Sequence, residues 1–121
     1  MHYASKAYAK TAKETLPPRD LEATLLLKAA SKLQAVHETW TEKPTGLHDA
    51  LQYNRRLWTV FIDSVTREDS HLPTPLRENL LKLGMLVMSE TFVLMTNPAP
   101  QHLTSLIGIN RGIAAGLSAR P

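Results

Sequence analysis

The sequence predicts an all-α fold: a small up-and-down bundle of four main helices preceded by a short N-terminal helix, in one domain over residues 1–121. Three observations carry that prediction. Eight prolines punctuate the chain, and all fall between periodic stretches, where helix-starting and helix-stopping prolines belong. Within those stretches apolar residues recur at intervals of three and four, the period of a helix face. Glycine numbers only five, no Asn-Gly or Asp-Gly hairpin signal occurs, and no stretch alternates apolar and polar residues long enough for a half-buried strand.

The elements follow in order. Tyr3 to Lys13 is alanine-rich, with Ala4, Ala7, Tyr8 and Ala12 near one face. A helix that short must dock to persist. The next helix is expected over about 18–42, with the stripe Leu26, Ala29/Ala30, Leu33, Val36, Trp40 and with Asp20 and Glu22 in the dipole-favoured first turn. Thr45 is the expected N-cap of a helix over 46–67, whose seam Leu47, Leu51, Asn54, Trp58, Phe61, Val65 advances by fours and threes. Thr74 is the expected N-cap of the next, over 75–96, with Pro75 at its first position. That helix carries two apolar seams: Leu76, Leu80, Leu83, Val87, Leu94, and Leu81, Met85, Met88, Phe92, Met95. An apolar arc so wide means a central helix or a face reserved for a partner. The last helix is expected over 100–117, after an Asn97-Pro98-Ala99-Pro100 breaker, with its seam through Leu103, Leu106/Ile107, Asn110, Ile113/Ala114 and Leu117. Short links favour antiparallel neighbours.

Composition narrows the function. An apolar content of 43% supports a real core. Fourteen Lys+Arg against 11 Asp+Glu give a net charge of +3, too mild to point to direct nucleic-acid binding. With no cysteine, disulfides, thiolate metal sites and cysteine nucleophiles are excluded. The longest apolar runs, such as Leu83 to Met88, fall short of the ~20 residues of a membrane span. The N-terminus has no apolar signal-peptide core, so a soluble protein of a reduced compartment is expected. The five histidines are not spaced as metal ligands, and His37-Glu38 lacks the second histidine of a zinc-protease pattern, because residue 41 is Thr. Neither a nucleophile elbow nor a Gly-rich phosphate loop is present. The expectation is no catalytic residues, no metal and no cofactor.

Three patterns stand out. An apolar-x-x-Asn-Arg-x-apolar motif occurs twice, as Leu51-Gln52-Tyr53-Asn54-Arg55-Arg56-Leu57 and as Ile107-Gly108-Ile109-Asn110-Arg111-Gly112-Ile113. Both asparagines fall on the apolar seam, where they are expected to be buried and hydrogen-bonded and to set helix register. Leucine in either place is expected to stabilise the fold at the cost of that register. Two readings remain open: Asn-Arg pairs that lock helices together, or arginines that project to an acidic or carbonyl-rich ligand. Gly108, Gly112 and Gly116 share one face of the last helix, which suggests either a closely packed internal neighbour or a docking groove. Met85, Met88, Phe92 and Met95 form an adaptable stripe that is either core or a groove for a partner helix, with Gly108 and Gly112 as a neighbouring wall.

Together these residues resemble a family. Leu51-x-x-Asn54-Arg55-Arg56-Leu57-Trp58, Leu72-Pro73-x-x-Leu76-Arg77 and Leu106-Ile107-x-Ile109-Asn110-Arg111-x-Ile113-x-x-Gly116-Leu117 are similar to the FlaF flagellar biosynthesis regulators of alphaproteobacteria. Ala7-Tyr8 and Arg19-x-Leu21-Glu22-Ala23 extend the resemblance over nearly the whole chain. It implies a cytoplasmic, non-enzymatic helical protein needed for flagellin production and export. Such a protein would bind flagellin as a secretion chaperone and act with the regulator FlbT. Direct contact with flagellin mRNA is the alternative.

Overall fold

A computed structural model describes residues 18–67, 70 and 72–119. They form four helices: α1 (Pro18–Glu38), α2 (Leu47–Thr66), α3 (Thr74–Thr96) and α4 (Pro100–Ser118). Among the described residues there is no strand. The helix expected over 3–13 lies outside the described residues.

Local chemistry explains the boundaries. α1 ends at Glu38, short of the expected 42. There the Thr39 hydroxyl donates back to the Ala35 carbonyl at 3.1 Å, and Trp40 N–H reaches only three residues back, to His37 O at 3.4 Å. This tightened last turn swings the Trp40 ring onto the core. The cap of α2 is Gly46 rather than Thr45; its φ of 81° makes the left-handed turn that glycine adopts without steric cost. α3 begins at Thr74, one residue early, with Pro73 as its cap and Pro75 inside its first turn. Proline suits that turn because its missing N–H has no intrahelical partner anyway. α4 opens with Pro100 after an extended Ala99.

Each helix neighbours the next, and α4 returns to pack on α1, the most extensive of the four contacts. Alanines at 23, 29, 30 and 114 are all buried and let those two axes approach. Directions alternate. His37 near the end of α1 meets Thr104 near the start of α4, and Arg77 near the start of α3 meets Val65 near the end of α2. The core runs through Leu26, Leu33, Trp58, Leu80, Val87, Leu94, Leu103, Leu106 and Leu117, all essentially sealed from solvent. Burying one such side chain stabilises the fold by about 1.5–3 kcal/mol.

α3 has 23 residues and is long and apolar enough, by length and composition alone, to cross a bilayer. The sequence expectation counted only unbroken apolar runs, which are shorter than this helix. In the bundle this helix buries one arc, Leu80, Gly84, Val87, Thr91 and Leu94.

Candidate functional site

At mid-bundle the two motif asparagines meet. Asn54 and Asn110 are both fully buried, and Asn110 Nδ2 donates to Asn54 Oδ1 at 2.6 Å. The Trp58 indole N–H donates to Asn110 Oδ1 at 2.9 Å, and Asn110 Nδ2 also reaches Leu26 O at 3.5 Å. An indole nitrogen is a donor only, so it dictates which end of the Asn110 amide faces it. The Asn110 NH2 then points at Asn54, which must present its oxygen. Asn54 Nδ2 consequently faces away and is buried without a partner among the described residues. One small network thus ties α1, α2 and α4 at one level. This is a structural lock.

Arg55, Arg56 and Arg111 lie outside it. All three are exposed, so the expected Asn-Arg lock is corrected to an Asn-Asn-Trp lock. Trp58 was legible as a seam residue, but nothing in its spacing marked it as the donor to Asn110. The Leu72-Pro73-x-x-Leu76-Arg77 motif has its own structural job. Arg77 Nε donates to Val65 O at 2.8 Å and its Nη2 to Arg67 O at 3.3 Å, satisfying carbonyls at the end of α2. Leu72 is buried beside them.

The methionine stripe is placed on the surface. Met85 is 74%, Phe92 67% and Met95 55% exposed, while Met88 packs partly against the core. Burial of the other arc of α3 turns the stripe toward the α2 flank. Gly84, at the inner edge of that flank, comes so close to α2 that an added Cβ would lie 2.8 Å from Ile62 Cδ1. Near Met95 a small hollow of about 170 Å³ is walled by Leu47, His48 and Leu51 of α2 together with Leu94 and Pro98. Beside it, Arg55 and Thr91 line a narrower cleft against Met95.

For the glycines, the reading of a closely packed internal neighbour is corrected. Gly108, Gly112 and Gly116 are exposed, and a Cβ added at any of them would meet nothing within 4 Å among the described residues. No described helix packs closely there. Leu103, Leu106, Ile107, Asn110, Ala114 and Leu117 take the inward face of α4, so the glycines point out of the bundle. They do not wall the stripe, whose neighbour is α2. Nothing among the described residues explains their spacing.

The site therefore offers apolar side chains. Among the described residues no three His, Asp or Glu side chains gather as metal ligands. Comparison with curated proteins and with solved structures gives no match. The family described as flagellar protein FlaF matches over residues 4–117, covering both Asn-Arg motifs and the stripe. The chain belongs to the FlaF family of flagellar proteins.

Proposed function

We propose that this protein is a non-enzymatic flagellin-binding chaperone of the cytoplasm that controls flagellin synthesis and export together with FlbT. The observation that carries the reading is the exposed run of Met85, Phe92 and Met95 at helical spacing on a helix whose core contacts are already made by other residues. Single exposed apolar residues are ordinary, but an aligned set marks a docking face. The ends of unassembled flagellin, as family membership implies them, are amphipathic helices whose apolar faces are buried only in the filament. Such a helix lies in a groove through anchors at i, i+3 or i+4 and i+7. Met85, Met88 and Phe92 supply that spacing, and methionine adapts to variable partners. The hollow beside Met95 would accept a further anchor.

Purified flagellin and purified FlbT are each captured on the wild-type protein and on a Met85→Asp/Phe92→Asp variant, with melting followed in parallel. Lost flagellin binding at a nearly unchanged melting temperature is the expected result. Undiminished binding by the folded variant removes flagellin from this face. Binding of flagellin mRNA with a steep loss of affinity in salt would replace the proposal with the direct-RNA reading, since phosphate contacts release counterions.

A further inference from the structure

A second surface, independent of the α3 stripe, lies where the C-terminal half of α1 faces the N-terminal half of α2. An open groove of about 730 Å³ runs between them. Buried Val36 of α1 and Ala50 of α2 form its apolar base, and exposed Ala35 of α1 also lines it. The left-handed turn at Gly46 brings the chain back at its end. Tyr53 stands in the wall, with Lys28 Nζ and Lys32 Nζ 5.8 and 5.0 Å from its ring centroid. Arg56 lies one turn further along α2 on the same side.

These three cations are exposed and form no ion pair among the described residues, and Asp49 is the one acidic side chain in the lining. The aromatic ring holds the two ammonium groups at the rim, an attraction of about 0.5–1 kcal/mol at exposed sites. The result is a trough with a net positive edge, Lys28, Lys32 and Arg56 against the single Asp49. The sequence alone hid it, because Lys28 and Lys32 sit on one helix and Tyr53 and Arg56 on another.

The chemistry selects the occupant. Single-stranded RNA needs free aromatic faces for stacking, and the ring here is already covered by two ammonium groups. Residues 1–17 carry Lys6, Lys10 and Lys13 against Glu14, so this chain's own N-terminal segment has the wrong sign. We propose that the groove docks an acidic amphipathic segment of a protein partner. Its apolar side chains would rest on Val36 and Ala50, and its carboxylates would reach Lys28, Lys32 and Arg56.

The test is fluorescence anisotropy on the full chain with three labelled probes. One is a helical peptide of about 20 residues with leucines on one face and glutamates beside them. The second replaces every glutamate by lysine, and the third is an oligouridylate of about 12 nucleotides. The acidic peptide is expected to bind saturably. Its affinity should fall about tenfold in Lys32→Gln/Arg56→Gln, further in Lys32→Glu/Arg56→Glu, and steadily with salt. Because both side chains are exposed and in no ion pair, and the Lys32 contact with Tyr53 is weak at an exposed site, the variants should melt within about 3 °C of wild type. The Met85→Asp/Phe92→Asp variant should bind the acidic peptide unchanged, which separates this groove from the stripe. No saturable binding, equal binding of the lysine peptide or the RNA, or indifference to the charge variants overturns the proposal. Salt-sensitive self-association abolished by Lys32→Glu would overturn it as well, by making a second copy the occupant.

Discussion

Replacing Asn110 by leucine tests the lock at its centre. The leucine matches the buried surroundings and removes the amide, so the cost lies in the partners it abandons. Trp58 Nε1, which donates to Asn110 at 2.9 Å, would be left unpaired in a fully buried ring. Asn54 Oδ1, now accepting at 2.6 Å, would lose its donor in an equally dry place. An orphaned buried polar group costs about 1–3 kcal/mol. Two of them cost about 2–6, and the gain from burying a leucine side chain offsets part of that. The expected net loss is about 2 kcal/mol. For a domain of this size about 1 kcal/mol moves the melting temperature by roughly 4 °C, so thermal unfolding should fall by about 8 °C. Asn54→Leu should cost less, about 1 kcal/mol, because it deletes an NH2 that already lacks a partner and leaves Asn110 bonded to Trp58 and to Leu26 O. On this accounting Asn110→Leu does not stabilise, and among variants that remove both asparagines only Asn54→Leu/Trp58→Phe/Asn110→Leu leaves no polar orphan. Circular-dichroism melts of the two single variants, the Asn54→Leu/Asn110→Leu double and the triple variant decide the matter. An Asn110→Leu protein that melts at or above wild type, or equal losses in the two single variants, would refute the reasoning.

Other variants follow from the same contacts. Gly108→Ala and Gly112→Ala should each stabilise by about 0.5–1 kcal/mol, because alanine favours helix over glycine and the new methyl meets open space. Urea midpoints above wild type at an unchanged slope would show it, and a loss would mean that something covers this face. Gly84→Ala should come out near zero. Its Cβ pushes the movable end of half-buried Ile62, at 2.8 and 2.9 Å, while helix propensity returns up to about 1 kcal/mol. Gly84→Leu overpacks the same gap, with Trp58 just behind it, and should cost about 2 kcal/mol or more by thermal melting. Arg77→Met removes two hydrogen bonds to the carbonyls ending α2 and should cost about 1–2 kcal/mol. Faster amide exchange in the last turn of α2 should accompany that loss.

The number and order of the four described helices and most of their boundaries were determined by the sequence itself, since those signals are local: proline positions, three-four periodicity and short links. The burial of Asn54 and Asn110 was equally legible, because a polar residue on a seam goes where the seam goes. Periodicity can rank positions around one helix, but it cannot say which neighbour fills which side. α3 shows the difference. Leu80, Val87 and Leu94 on one seam and Met85, Met88, Phe92 and Met95 on the other were equally apolar, and only packing against α2 and α4 assigned the first to the core and left most of the second to solvent. The regular spacing of Gly108, Gly112 and Gly116 suggested either a close internal neighbour or a docking groove; the larger side chains of α4 took the inward face and turned the glycines out, which removes the first reading among the described residues. The Trp58–Asn110 bond joins residues 52 positions apart, and the Lys28, Lys32, Tyr53 and Arg56 cluster joins two helices. Both depend on where antiparallel helices place their turns relative to one another. That register comes from the packing of the whole bundle, and no single stretch of chain contains it.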